Sequence, residues 1–164
     1  MPALTPGKAA PPISLKDVNG QNWTLADALK KGPVLAAFFK VSCPVCQFAL
    51  PFVERLHEEL GGSNFTVWGV SQDDPRDTRN FMDEYEIKFP VLVDDRGYSA
   101  SNQYGLTNVP SLFLISRDGK IQASSVGFDK SGLEQIAAEA ARANGKTPAS
   151  LFKPGEVVPE YKPG

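Results

Sequence analysis

The chain has 164 residues, 41% hydrophobic and 22% charged, and its 17 Lys+Arg against 19 Asp+Glu leave a formal charge of −2. That length suits one domain able to bury a core without disulfides or metals, and the charge balance argues against nucleic acid or an anionic membrane as partner. No long apolar run follows the single lysine of "MPALTPGKAAPPISL", so no secretory signal or membrane anchor is visible; the chain reads as cytoplasmic, or periplasmic if a leader has been removed.

Residues 1–12 hold four prolines without periodicity and read as an extended N-terminal arm. Asn19-Gly20, between "PISLKDV" and "QNWTL", predicts a β-hairpin with a tight two-residue turn. "PVLAAFF", Pro33 to Phe39, is apolar without alternation and predicts a central strand covered on both faces. Then Val45, Phe48, Ala49, Phe52, Val53, Leu56 and Leu60 recur at helical spacing and stop at Gly61-Gly62, with Pro51 inside. "FTVWGV" predicts a strand, and Asp74-Pro75 a capped helix start with Phe81, Met82 and Tyr85 on its apolar stripe. Phe89 to Val93 is the next strand, and Asp118-Gly119 turns "SLFLIS" into "KIQASSVG" as a second hairpin. Leu133, Ile136, Ala137, Ala140 and Ala141 line a final helix. Residues 13–147 thus form the domain, and 148–164 a Pro-rich C-terminal tail whose Leu151, Phe152, Val157, Val158 and Tyr161 suit an extended strap. The pattern is α/β, with a sheet parallel in its first half and antiparallel at one edge.

Both cysteines lie in "SCPVCQ". A zinc site needs about four ligands, and this chain offers one Cys pair and a single histidine, His57, on a later turn of the same helix. A disulfide closing so short a loop contributes little as a staple. A reactive pair explains the placement: Cys43 sits between a buried strand and a helix N-terminus, where free N–H groups and the helix dipole favour an anion. Lys40 could support that charge or simply reach solvent. Cys46, one turn inward among apolar neighbours, suits the resolving thiol.

In these features the chain resembles the thioredoxin superfamily, specifically the redoxin or AhpC/TSA branch, and in motif the TlpA/ResA-type thiol-disulfide oxidoreductases. Cys43-Pro44-Val45-Cys46 is similar to the family's CxxC, Pro51 to its helix proline, and "NVPSLFLISRDGKI" to the segment that carries a cis-proline, here Pro110. "VWGVSQDDPRDTRNFMDEYEIKFPVLVDD" resembles the strand and helix inserted in the redoxin branch. The resemblance implies a three-layer α/β/α sandwich with a mixed central sheet and an N-terminal β-hairpin. It implies Cys43 and Cys46 as catalytic, Pro44, Val45, Val109 and Pro110 as the substrate-docking edge, and Lys40 as support. It also implies no cofactor or metal, a monomer, a protein disulfide or dithiol as substrate, and a separate reductase or oxidant.

Three departures stand out. Ala37 occupies the position where many thioredoxins carry a buried acid, Val41-Ser42 replaces the usual aromatic before the first cysteine, and Ala36 and Lys40 stand where peroxiredoxins carry Pro and Thr/Ser. A thiol peroxidase is the enzymatic alternative, and a copper-handling or binding module using His57 the non-enzymatic one. Trp23 and Trp68 read as core, Asp73 and Asp74 as a helix cap, and Asp94-Asp95-Arg96-Gly97 as a solvated turn. Glu54, Glu58 and His57 read as solvent-facing.

Overall fold

A computed structural model describes residues 4–62 and 64–164; the first three residues of the predicted arm lie outside the described residues. Strands β1 (Ser14–Lys16) and β2 (Asn22–Thr24) pair antiparallel with Leu15 opposite Trp23. Their connection is wider than a two-residue turn because the buried Asp17 carboxylate organises it. Asp17 accepts the Asn19 and Gln21 N–H groups at 2.8 and 3.0 Å and the Trp23 indole N–H at 2.9 Å. The run "QNWTL" is strand only to Thr24, whose hydroxyl accepts the Asp27 N–H at 3.2 Å and caps a short helix, α1 (Leu25–Lys31).

The chain then alternates: β3 (Val34–Phe39), α2 (Pro44–Leu60), β4 (Thr66–Ser71), α3 (Pro75–Tyr85), β5 (Val91–Val93), α4 (Ser99–Gln103), β6 (Ser111–Ile115), β7 (Ile121–Val126), β8 (Phe128–Asp129) and α5 (Lys130–Ala143). The main sheet runs β5-β4-β3-β6-β7, parallel on the β5 side of β3 and antiparallel on the β7 side. All six residues of β3 are buried, as an unalternating apolar run requires of a central strand.

Successive β3 side chains divide between the two faces. Leu35, Ala37 and Phe39 join α2, α5 and Phe81 of α3 on one side; Val34, Ala36 and Phe38 join Leu25 and Ala28 of α1, Ala100 of α4 and Tyr104 just after it on the other. Gly69 leaves room between the sheet and α2, because a Cβ there would sit 3.1 Å from Phe39, Phe89 and Val91. The result is the three-layer α/β/α arrangement with a mixed sheet. Among the described residues no helix is long and apolar enough to cross a membrane.

Three side chains read as solvated are not. Glu54 is 6% exposed, and one carboxylate oxygen accepts the Lys88 and Phe89 N–H groups at 2.8 and 3.3 Å. Those amides are thereby taken from the sheet ladder, and β5 starts at Val91 rather than Phe89. Asp94 is 2% exposed because α4 needs an acceptor at its start, and it takes the Ala100 and Ser101 N–H groups at 3.3 and 2.9 Å. His57 is half-buried with its ring 6.0 Å from that of Phe89.

After α5 the chain returns across α2. Leu151 and Phe152 are buried, with the Phe152 ring 5.0 Å from Phe52, and a two-residue strand, β9 (Tyr161–Lys162), pairs antiparallel with β8. Val157 is 97% exposed, and Tyr161 also faces solvent. Arg55 pins the crossing, donating to both oxygens of Glu156 at 2.7 Å while lying 4.6 Å from the Phe52 ring centre.

The Arg55 hydrogen bonds, helped by the Lys153 N–H, hold the Glu156 carboxyl at about 2, below its ordinary 4.5. A depressed carboxylate pKa contributes binding of the tail that is complete above the ordinary value and lost as pH falls toward the folded value. Amides of residues 151–156 are therefore expected to exchange faster, relative to the core, as pH drops from 4.5 toward 2, read by hydrogen-exchange mass spectrometry after correction for intrinsic rates. In Glu156→Gln the faster exchange should already be present at neutral pH. Equal protection in the two proteins would show that the ion pair does not hold the tail.

Candidate active site

β3 delivers the chain to Cys43, which is the N-cap of α2 in an extended conformation, φ −84° and ψ 114°. Pro44 follows at the first helical position, where its missing N–H costs nothing. The Cys43 sulfur accepts the Cys46 N–H at 3.1 Å and so occupies the place of a capping oxygen. An amide donor and the positive end of a helix of 17 residues thus meet on one sulfur. On its other side lies the Val109 carbonyl at 3.5 Å, in position to accept from the thiol.

Cys43 is partly exposed and Cys46 fully buried, and neither is in a disulfide. Burial first, and the adjoining Cys43 sulfur second, push the Cys46 thiol far above the ordinary thiol range. Ala37 is fully buried in the same apolar cluster as Cys46, so this strand supplies no acid there. The two sulfurs therefore differ in exposure, the Cys43 sulfur partly open and the Cys46 sulfur enclosed.

The Val109–Pro110 peptide is cis. Its loop is held by the Ser111 hydroxyl donating to the Asn108 carbonyl at 2.7 Å and by the Gly127 N–H donating to the Pro110 carbonyl at 2.8 Å. Of the residues singled out in the sequence, Cys43, Cys46 and Val109 meet directly. Pro44 is exposed, Val45 half-buried beside them and Pro110 buried behind Val109. Lys40 is exposed; its backbone carbonyl accepts the Cys43 N–H at 3.3 Å, and the residue lines the same cavity as Val109 and Gly164. His57 lies eleven residues beyond Cys46, about 16 Å along the helix axis at the standard rise. Among the described residues no group of three metal-ligating side chains occurs.

Two positioning residues were not recognised in the sequence. The Val41 backbone is held at both of its polar groups: its N–H donates to Asp73 at 2.8 Å, and its carbonyl accepts the Gln47 side-chain amide at 2.9 Å. Asp74 alone caps α3, through the Asp77 N–H at 2.8 Å, so the doubled acid held the signal. One carboxylate suffices for the cap, which leaves Asp73 for another task. Asp73→Ala is expected to lower unfolding free energy by about 1.5–3 kcal/mol, the range for losing a hydrogen bond to a charged group. Asp73→Asn, which keeps an acceptor, should recover most of it in urea unfolding. Equal losses in the two variants would remove the hydrogen bond as the cause.

A family model described as the AhpC/TSA family matches residues 6–124. The chain is 32% identical over 136 residues to the thioredoxin-like protein YneN of Bacillus subtilis, covering 79% of this chain and 76% of that protein. It is 30% identical over 122 residues to the thiol-disulfide oxidoreductase ResA of Bacillus thuringiensis, covering 74% and 69%. A solved thiol-disulfide oxidoreductase from Bacteroides fragilis superposes with a TM-score of 0.70 at 25% identity, over 80% of this chain and 98% of that one.

Proposed function

The chain belongs to the AhpC/TSA family, and on that footing we propose that it is a thiol-disulfide oxidoreductase acting on protein partners through Cys43 and Cys46. The observation that carries the reading is the asymmetry of the pair: one sulfur partly exposed at a helix N-cap, the other buried one turn behind it.

In the reducing direction the Cys43 thiolate attacks one sulfur of a partner disulfide, forming a mixed disulfide and releasing the partner's other sulfur as a thiolate. Cys46 then gives up its proton and attacks Cys43. That step closes the Cys43–Cys46 disulfide and releases the second partner thiolate, so two electrons pass to the partner. Oxidation of a dithiol runs the same steps backward. A separate reductase or oxidant resets the pair, and one copy of the chain carries both sulfurs. The Val109 backbone, against Cys43, is where an extended partner segment pairs.

Ala36 and Lys40 supply neither the proline nor the hydroxyl of the peroxiredoxin pattern, which weighs against peroxide as substrate. Stopped-flow mixing of the reduced protein with a peptide disulfide and, separately, with hydrogen peroxide separates the two chemistries when products are alkylated and weighed. Fast reaction with the disulfide, and with peroxide only the slowness of a free thiol, is expected. Fast peroxide consumption through a sulfenic acid on Cys43 would overturn the reading.

A further inference from the structure

We infer that residues Glu160–Gly164 lie in cis on the edge where a partner segment docks, so that the tail is an internal competitor a partner must displace. The inference rests on the thiol-disulfide reading and adds a regulator to it.

Four contacts place the tail there. β9 adds to β8 with Lys162 opposite Phe128 and Tyr161 opposite Asp129, and the Lys130 N–H donates to the Glu160 carbonyl at 3.0 Å. Beyond it the chain closes on the cis-proline loop, where Asn108 donates its side-chain amide to the Gly164 backbone oxygen at 3.2 Å. Gly164 presses so closely on Val109 that a Cβ there would lie 2.0 Å from the Val109 oxygen, the same oxygen that faces the Cys43 sulfur. The tail thus covers the backbone group beside the attacking sulfur. Gly127 makes the approach possible from below, since a Cβ on it would stand 2.5 Å from the Lys162 carbonyl and 3.2 Å from the Gly164 nitrogen.

The seat also describes what fits it. It takes an extended segment with a glycine against Val109 and, two positions earlier, a cationic side chain above the Phe48 ring, where the Lys162 ammonium lies 5.5 Å from the centroid. The anchoring is uneven along the tail. Phe152 and Glu156 are held by an aromatic cluster and a two-point ion pair, whereas beyond them Val158 is only half-buried, Val157 and Tyr161 are exposed and the Lys130–Glu160 pair is long, at 3.8 Å. The last eight residues can therefore lift while residues 148–156 stay docked.

A strap seated about nine-tenths of the time raises the apparent KM of a competing partner about tenfold, because only the open fraction binds. The test compares the full chain with a chain ending at Glu156, using an extended peptide disulfide and a small aromatic disulfide that needs no docking edge. Shortening is expected to lower KM for the peptide about five- to tenfold and to leave the small-disulfide rate within about twofold. Gly164→Val in the full chain should reproduce the shortened protein's peptide KM. A synthetic Pro159–Gly164 hexapeptide at millimolar concentration should raise that KM again in the shortened protein and leave the small-disulfide rate alone.

An unchanged or raised peptide KM after shortening would overturn the inference, a raised value showing that the tail helps to hold partners. Failure of both chains to react with either disulfide would instead remove the thiol-disulfide reading beneath it.

Discussion

Replacing Cys43 by serine is expected to reduce disulfide exchange by at least about a thousandfold, because a serine hydroxyl at a helix N-cap stays protonated and forms no bond to a disulfide sulfur. Cys46→Ser has a different signature. Its Cys43 still sits at the N-cap against Val109, so the first attack proceeds at close to the native rate. No thiol then remains to release the partner. Exchange stops after one event with the partner joined to Cys43, visible by mass spectrometry under non-reducing conditions. The geometry supports this order because the partly exposed sulfur can meet a partner and the fully buried one cannot. If Cys43→Ser were the variant that accumulated the adduct, the two roles would be exchanged.

Phe128→Ala should cost about 3–5 kcal/mol of unfolding free energy, the usual range for emptying a buried phenylalanine site. Phe128 is fully buried, with ring centroids 4.9 Å from Phe48, 5.7 Å from Phe52 and 6.1 Å from Phe152. One ring therefore ties α2, the end of the sheet and the returning tail into a single aromatic cluster. Phe152→Ala removes a ring at the margin of that cluster and should fall at the lower end of the range or below it. Urea unfolding with the slope held in common gives both values. A loss under about 1 kcal/mol for Phe128→Ala would mean that the cluster refills from the tail or from Phe48.

The parts of the fold that the sequence disclosed are those with a long or strongly biased pattern. The apolar run into β3 and the seven apolar positions of α2 fixed the strand, the helix and the junction that holds Cys43. What escaped was short or non-local. The seven residues of α1 span two turns, too few for a period to show, and the aromatic and β-branched residues of "QNWTL" argued for a strand. Asp94 looked like a turn residue because the amides it serves lie six and seven positions on, past Arg96-Gly97. Glu54 and Asp73 each accept an N–H more than thirty residues away, a relation that no local rule contains. The apolar tail residues predicted a strap, yet only Leu151 and Phe152 bury fully. Val158 is half-buried against the core, while Val157 and Tyr161 face water; beyond Glu156 the tail is held largely by the β8–β9 pairing, which side-chain chemistry does not announce.

The buried alanine at position 37 sets a clock. With burial pushing the Cys46 thiol up and an alanine, not a carboxylate, on the strand beneath, release of a partner is expected to slow as the pH falls below neutrality. A brief drop in pH during turnover should then preserve partners on Cys43 in the unaltered protein. Acid quenching of crude extracts could recover them without changing a single residue.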